Sequence, residues 1–195
     1  MYLKMILFST LMLFCCGSAL AQRPGPEFWR RVSCEPLEPR TKLESFEFHH
    51  NTVIIKGFTR ITTVELSGVR IDAVEVHELG NVSRAKGIVI VLRSGGEHPN
   101  ENRAFIDYEE IDSLLNAIDT IARTDETATK LTSFEARYRT LGDLEIGVFR
   151  QTRSGNAVVM TTGICDHATV TLSLDEFAKV KAMIQEAKAR LDELK

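Results

Sequence analysis

Thr171-Leu172-Ser173-Leu174-Asp175-Glu176-Phe177 opens the stretch that decides the fold, because within seven residues a strand pattern turns into a helix start. Ser173 followed three residues later by Glu176 is a capping box, in which the two side chains satisfy free N–H groups of a first helical turn. Phe177, Val180, Ile184, Ala187, Leu191 and Leu194 then recur at spacings of three and four, which gives one apolar stripe on a helix running to the end of the chain. Asp175, Glu176, Lys179, Lys181, Glu186, Lys188 and Arg190 occupy the other faces. Burying six stripe residues at roughly 1.5–3 kcal/mol each gives this helix a strong reason to dock on a sheet.

The same unit recurs 66 positions upstream. Phe105-Ile106-Asp107-Tyr108-Glu109-Glu110-Ile111 aligns with Thr171 to Phe177, and Leu114 and Ile118 continue the register of Val180 and Ile184. The predicted helix over 109–123 carries its stripe on Ile111, Leu114, Leu115, Ile118 and Ile121. A second match, Leu43-Glu44-Ser45-Phe46-Glu47 with Leu131-Thr132-Ser133-Phe134-Glu135, has an offset of 88. Together they predict two repeats, 43–123 and 131–195, each several antiparallel strands followed by one amphipathic helix. A strand-only sheet with one apolar face needs a cover, and each helix offers one. The expected class is therefore α+β, as a single domain over 43–195.

Between the helices the pattern reads as strands. Residues 44–56 end in the β-branched run Thr52-Val53-Ile54-Ile55, and 59–66 continue with Ile61, Thr62, Thr63 and Val64. Val69, Ile71, Val74 and Val76 alternate with Arg70, Asp72 and Glu75. Ile88-Val89-Ile90-Val91-Leu92 is continuously apolar, which predicts a central strand covered on both faces. Further strands are expected at 104–108, 133–140, 143–151, 157–164 and 167–174, with turns at Ser94-Gly95-Gly96, Gly142, Ser154-Gly155-Asn156 and Cys165-Asp166.

Residues 1–21 carry one positive charge, Lys4, an apolar run from Met5 to Cys16, and the small residues Ala19 and Ala21. This is a signal-peptide pattern, too short for a bilayer span, with cleavage expected before Gln22. The competing lipoprotein reading would anchor the chain at Cys15 or Cys16, but the preceding residue, Phe14 or Cys15, is not the small one such a site needs. Periplasmic or secreted localisation follows, and no later stretch is apolar enough for a transmembrane span. Residues 22–42 form a Pro-rich leader with Pro24, Pro26, Pro36 and Pro39, in which Phe28 and Trp29 are candidate docking residues.

The whole chain has 24 basic and 27 acidic side chains. Loss of residues 1–21 removes only Lys4, so the mature net charge is -4. The signs are interspersed, which argues against nucleic acid as a partner, since that needs clustered Lys and Arg. Cleavage leaves two cysteines, Cys34 and Cys165. In an oxidising compartment they are a possible disulfide; the alternative is one buried thiol and one in a loose tail.

The candidate chemistry is thin. His49-His50, read as strand neighbours, point to opposite faces and are no chelate. Cys165-Asp166-His167 offers a thiolate and an imidazole, half of a metal site, and a Cys165 nucleophile with His167 as base lacks an orienting third group. Asp107, Glu109, Glu110 and Asp112 crowd one helix start, where the dipole and capping stabilise acids without any catalysis. Ser94-Gly95-Gly96 lacks the spacing and lysine of a phosphate loop, and Asn81-Val82-Ser83 meets the glycosylation pattern only formally. No catalytic residue, cofactor or metal set is defined.

Val53-Ile54-Ile55-Lys56-Gly57, Phe105 to Ile111, Phe134-Glu135-Ala136-Arg137-Tyr138 and Gly142-Asp143-Leu144 resemble a family of exported bacterial proteins with a domain of unknown function, over residues 43–195. That resemblance implies export and transfers no site residue. In topology alone, the two strands-then-helix halves are similar to the Whirly and Pur folds, which bind single-stranded nucleic acid. Export and acidity speak against carrying that function over. The sequence points to a noncatalytic binding or structural module of the cell envelope, with a protein or small-molecule partner on a sheet face or an edge strand. The alternatives are a small extracytoplasmic enzyme whose site joins residues distant in sequence, and a carrier of an apolar ligand.

Overall fold

Among the described residues, eight strands form two antiparallel four-stranded meanders, and a helix follows the last strand of each. The computed structural model describes residues 38–62, 66, 68–97, 99–131, 134–151, 155–163 and 166–194. The first sheet runs in the order β1 (Ile54–Arg60), β2 (Val69–Glu78), β3 (Arg84–Arg93) and β4 (Glu101–Asp107). The second runs β5 (Glu135–Arg139), β6 (Leu144–Gln151), β7 (Gly155–Thr162) and β8 (Ala168–Leu172). Helix α2 (Ile111–Arg123) follows β4 through a 3-10 turn at Tyr108–Glu110, and α3 (Leu174–Asp192) follows β8. The expected α+β class and the strands-then-helix plan of each half are what the molecule has.

The capping box at Ser173 forms: Ser173 Oγ accepts from Glu176 N at 3.2 Å, and Ser173 N donates to Glu176 Oε2 at 2.8 Å. Phe177, Val180, Ile184, Ala187 and Leu191 are buried as the spacing predicts, and Met183 joins them, while Leu194 is exposed. Ile111, Leu114, Ile118 and Ile121 of α2 are buried, and Leu115 packs against the same core. One apolar core collects both helix stripes, the inner face of the first sheet (Ile71, Ile88, Ile90, Leu92) and the inner face of the second (Leu144, Ile146, Val158, Met160).

The helices are exchanged between the sheets. Helix α3 lies mainly on β2 and β3 of the first sheet, whereas α2 rests on β5 and β6 of the second and against α3. Lys181 Nζ joins Asp119 Oδ1 across the two helices at 2.6 Å. Each half therefore depends on the other for its cover.

A third helix was not expected. Residues 44–56 read as strand, but α1 (Lys42–Glu47) is helical. Six residues cannot hold a helix on their own, so its ends decide. Thr41 Oγ1 accepts from Glu44 N at 3.0 Å, Glu44 Oε2 takes the N–H groups of Arg40 and Thr41, and Asp107 reaches across from β4 to accept from Lys42 N (2.7 Å) and Leu43 N (3.1 Å). Leu43 and Phe46 of α1 are buried on the outer face of the first sheet with Val74, Val76, Val89 and Phe105. That contact explains the continuously apolar β3: Ile88, Ile90 and Leu92 face the main core, and Val89 and Val91 face this second cluster.

The helical α1 also removes one of the two repeat alignments. Leu43–Glu47 belongs to a helix, whereas its proposed counterpart leads into β5 at Glu135. The match at offset 66 joins equivalent places, since both copies run from a last strand into a helix. The strand expected over 59–66 ends instead at Arg60, the last residue of β1. Residues 1–37, the expected signal peptide and most of the leader with Phe28, Trp29 and Cys34, lie outside the described residues, as do Thr63, Val64, Thr132, Ser133, Ser154 and Cys165.

Candidate functional site

The acidic cluster at the start of α2 separates into four local contacts. Asp107 caps α1, and Glu109 pairs with Lys42 Nζ, which holds the Glu109 carboxyl below the usual range and the Lys42 amine above it. Asp112 lies 3.9 Å from Lys188 Nζ of α3. Glu110 reaches the second half: its Oε1 accepts from Leu141 N at 2.9 Å, and its Oε2 is buried without a hydrogen-bond partner among the described residues. These carboxylates tie elements together and do not converge on a shared point.

Burial, with a smaller push from Asp107, raises the Glu110 carboxyl above its usual 4.5, and the N–H of Leu141 only partly opposes this. Burial and then the Glu110 charge raise the phenol of Tyr138. A carboxyl that holds its proton more tightly folded than unfolded contributes most stability below pH 4.5, and that contribution is lost as pH climbs through the folded value. Glu110→Gln keeps an acceptor for Leu141 N and removes the titration. The variant should therefore gain stability relative to wild type between pH 4.5 and 7.5, measured as the difference in urea midpoints. A constant difference across that range would assign the raised carboxyl no part in the pH profile.

The histidine pair does not sit on a strand. His49 and His50 lie in the loop between α1 and β1, where the His49 ring is 4.9 Å from that of Phe46 and its Nδ1 is 4.0 Å from Glu78 Oε2. Asp166 and His167 lie in the β7–β8 loop, where their carbonyls accept from Asn102 Nδ2 (2.6 Å) and Asn100 Nδ2 (3.1 Å). Because Cys34 and Cys165 are outside the described residues, their pairing is not defined. Asn81, Val82 and Ser83 make the tight β2–β3 turn, and Asn81 Nδ2 donates to Glu78 Oε2 at 2.8 Å. Among the described residues, no three His, Cys, Asp or Glu side chains gather as a metal site would need, and no helix is long and apolar enough to cross a membrane.

Two surface grooves among the described residues bring charged groups together. One, of about 290 Å³, is lined by Lys42, Glu75, Arg84, Lys86, Tyr108 and Glu109, among others. Lys42 pairs with Glu109 and Arg84 with Glu75, and Lys86 and Tyr108 hold the end of α3. The Tyr108 hydroxyl donates to Asp192 Oδ1, Lys86 Nζ lies 4.4 Å from the centre of the Tyr108 ring, and the same nitrogen donates to Leu191 O at 2.8 Å. The Asp192 contact, more than burial, raises the Tyr108 phenol. A lysine on the last carbonyls of a helix complements its dipole, so this groove reads as a structural clamp.

The other groove, of about 320 Å³, lies on the outer face of the first sheet beside α1. Val74, Val89 and Val91 form its floor, and Phe58 stands in it 65% exposed. Lys56, Arg60, Arg70 and Arg103 line it. Asp72 lies 3.3 Å from Arg60 and 3.4 Å from Arg70, Glu47 lies 3.3 Å from Arg103 and 3.6 Å from Lys56, and Glu101 lies 3.9 Å from Arg70. Four cations thus face three carboxylates, a local excess of positive charge on a chain whose net charge is -3. Sequence reading missed this face because its cations come from β1, β2 and β4 and never form a run. The one legible signal was the alternation Ile54, Lys56, Phe58, Arg60, which a strand boundary placed across Gly57 and Phe58 divided.

Compared with known protein families, curated proteins and solved structures, the chain matches none of them.

Proposed function

We propose that this protein is a noncatalytic binding module of the cell envelope, with the outer face of the first sheet as its ligand surface. The supporting observation is the groove over Val74, Val89 and Val91 in which Phe58 stays exposed. Single exposed apolar residues are ordinary on protein surfaces. Phe58 differs in standing on an apolar floor inside a ring of cations, the arrangement of apolar anchor and charged rim that binding surfaces use. The export pattern of residues 1–21 supports a location outside the cytoplasm. Glu78, Glu109, Asp125 and Glu176 each answer first to a hydrogen bond and are spread over the molecule, while Glu110 and Tyr138 are raised by burial. That scatter favours binding over general acid–base chemistry.

The test is a photoreactive amino acid placed at position 58 in producing cells, with position 185 on the exposed face of α3 as control. A discrete adduct is expected at 58 and none at 185. Absence of any adduct at 58, with the protein folded and exported, would remove this face as the ligand surface.

A further inference from the structure

Among the described residues, strand β1 is an edge: it pairs with β2 alone and stands at the end of the first sheet, and Lys56, Gly57, Phe58, Thr59 and Arg60 are all exposed. The direction of its free hydrogen-bonding groups follows from the ladder. Leu79 N donates to Val53 O at one end, and Ile61 N donates to Ile71 O at the other. Antiparallel pairs alternate between bonded and non-bonded, so the odd residues of β1 bond to β2. The N–H and C=O groups of Ile54, Lys56, Phe58 and Arg60 therefore point outward. The side chains of Lys56, Phe58 and Arg60 lie on the groove face. One set of four residues thus offers both the free backbone groups and the charged side chains.

We infer that this edge receives an acidic extended segment of a partner protein, which adds a fifth strand beside β1. An added strand bonded to the even residues places the side chains opposite Lys56, Phe58 and Arg60 on the same face, with Cβ atoms about 4.5–5.5 Å away, where opposite charges attract. Because the cations sit symmetrically about Phe58, the matching pattern is acid–x–apolar–x–acid in either strand direction. Backbone bonds supply the affinity and alternate side chains the selectivity, as in other strand additions.

A second copy of this chain fits less well. Its own β1 brings two more cations and no carboxylate, and edge lysines of this kind keep sheets from pairing with themselves. Glu47 and Asp72 do not close the site, because Lys56 and Arg60 keep 36% and 52% of their side-chain surface exposed. Exposed pairs of this sort contribute little to stability and can be shared with an incoming carboxylate.

The inference rests on the binding-module reading and is tested separately from it. The probe is the capped octapeptide Thr-Glu-Thr-Val-Thr-Glu-Thr-Val, with lysine replacing glutamate in a matched control. The full protein should bind the glutamate peptide saturably and slow amide exchange at Lys56, Phe58 and Arg60. Lys56→Glu/Arg60→Glu should weaken that binding at least tenfold and gain binding to the lysine peptide. Phe58→Pro removes an outward N–H donor and leaves the β2 ladder intact, so it should also abolish binding, with melting checked for each variant. Equal binding by wild type and the charge-reversed variant would overturn the proposal. So would unprotected amides at those three residues, a dimer formed through β1 in sedimentation, or an eight-residue oligothymidylate binding this face in the peptide's place. Adducts at position 58 without peptide binding would sink strand addition alone, whereas loss of both would sink the binding face as well.

Discussion

Ile184→Asp is expected to abolish cooperative folding at 37 °C. Ile184 is fully buried on α3 within the main core. Removing its apolar side chain costs about 2–5 kcal/mol on the scale of buried isoleucine truncations. Burying an unpaired carboxylate adds several kcal/mol, reduced if the group takes up a proton instead. A domain has about 5–15 kcal/mol in total, so the melting temperature should fall by at least about 10–20 °C. Because α3 covers β2 and β3 of the first sheet while following β8 of the second, both sheets should lose protection together. Gln185→Asp, one residue along on the exposed face, should stay within about 0.5 kcal/mol of wild type. An unchanged melting temperature for Ile184→Asp would show that α3 does not carry the core.

The parts of this fold legible in the sequence were those set by local periodicity. The stripes of α2 and α3, the capping box at Ser173 and the two-sided burial of β3 all follow from spacing within one element. What stayed hidden depends on residues far apart. Helix α1 carries a local signal, the capping box Thr41/Glu44, but its other cap is Asp107, 65 positions from Lys42, and no local pattern announces that bond. In the first half, Asp107 and Glu110 hold the places that Ser173 and Glu176 hold in the second. They bind α1 and Leu141 instead of their own helix end, so equal sequence positions acquired unequal work. The exchange of helices between sheets was invisible for the same reason, since an apolar stripe does not say which sheet it will meet. The outer groove draws its cations from three strands whose register only the assembled sheet defines.

Gly142→Ala should destabilise the protein, against the usual sign for this substitution. Where the backbone is compatible and space is free, glycine to alanine stabilises by about 0.4–1 kcal/mol, because the unfolded chain loses freedom. Gly142 has no such space. It lies in the turn before β6 and makes a bridge to Phe105 of β4, where a Cβ would stand 1.9 Å from the Phe105 carbonyl oxygen, 2.9 Å from its carbon and 3.0 Å from its nitrogen. All three are backbone atoms of a strand bonded to β3, so no side-chain rotation relieves the overlap. The turn itself is held: Leu144 N donates to Thr140 Oγ1 at 3.0 Å, and Arg40 and Arg139 both reach Asp143 Oδ1 at 2.6 Å. Overpacking of this kind costs about 1–3 kcal/mol or more, a fall of roughly 2–12 °C for a chain of this size. Gly147→Ala, in β6 with its nearest atom 3.8 Å away, should show no such loss. Faster amide exchange at Phe105 in Gly142→Ala would locate the damage at the seam between the halves. A variant as stable as wild type would mean that β4 and the turn before β6 are not in contact, and the halves would then be joined by the core and by the bonds of Asn100, Asn102 and Glu110.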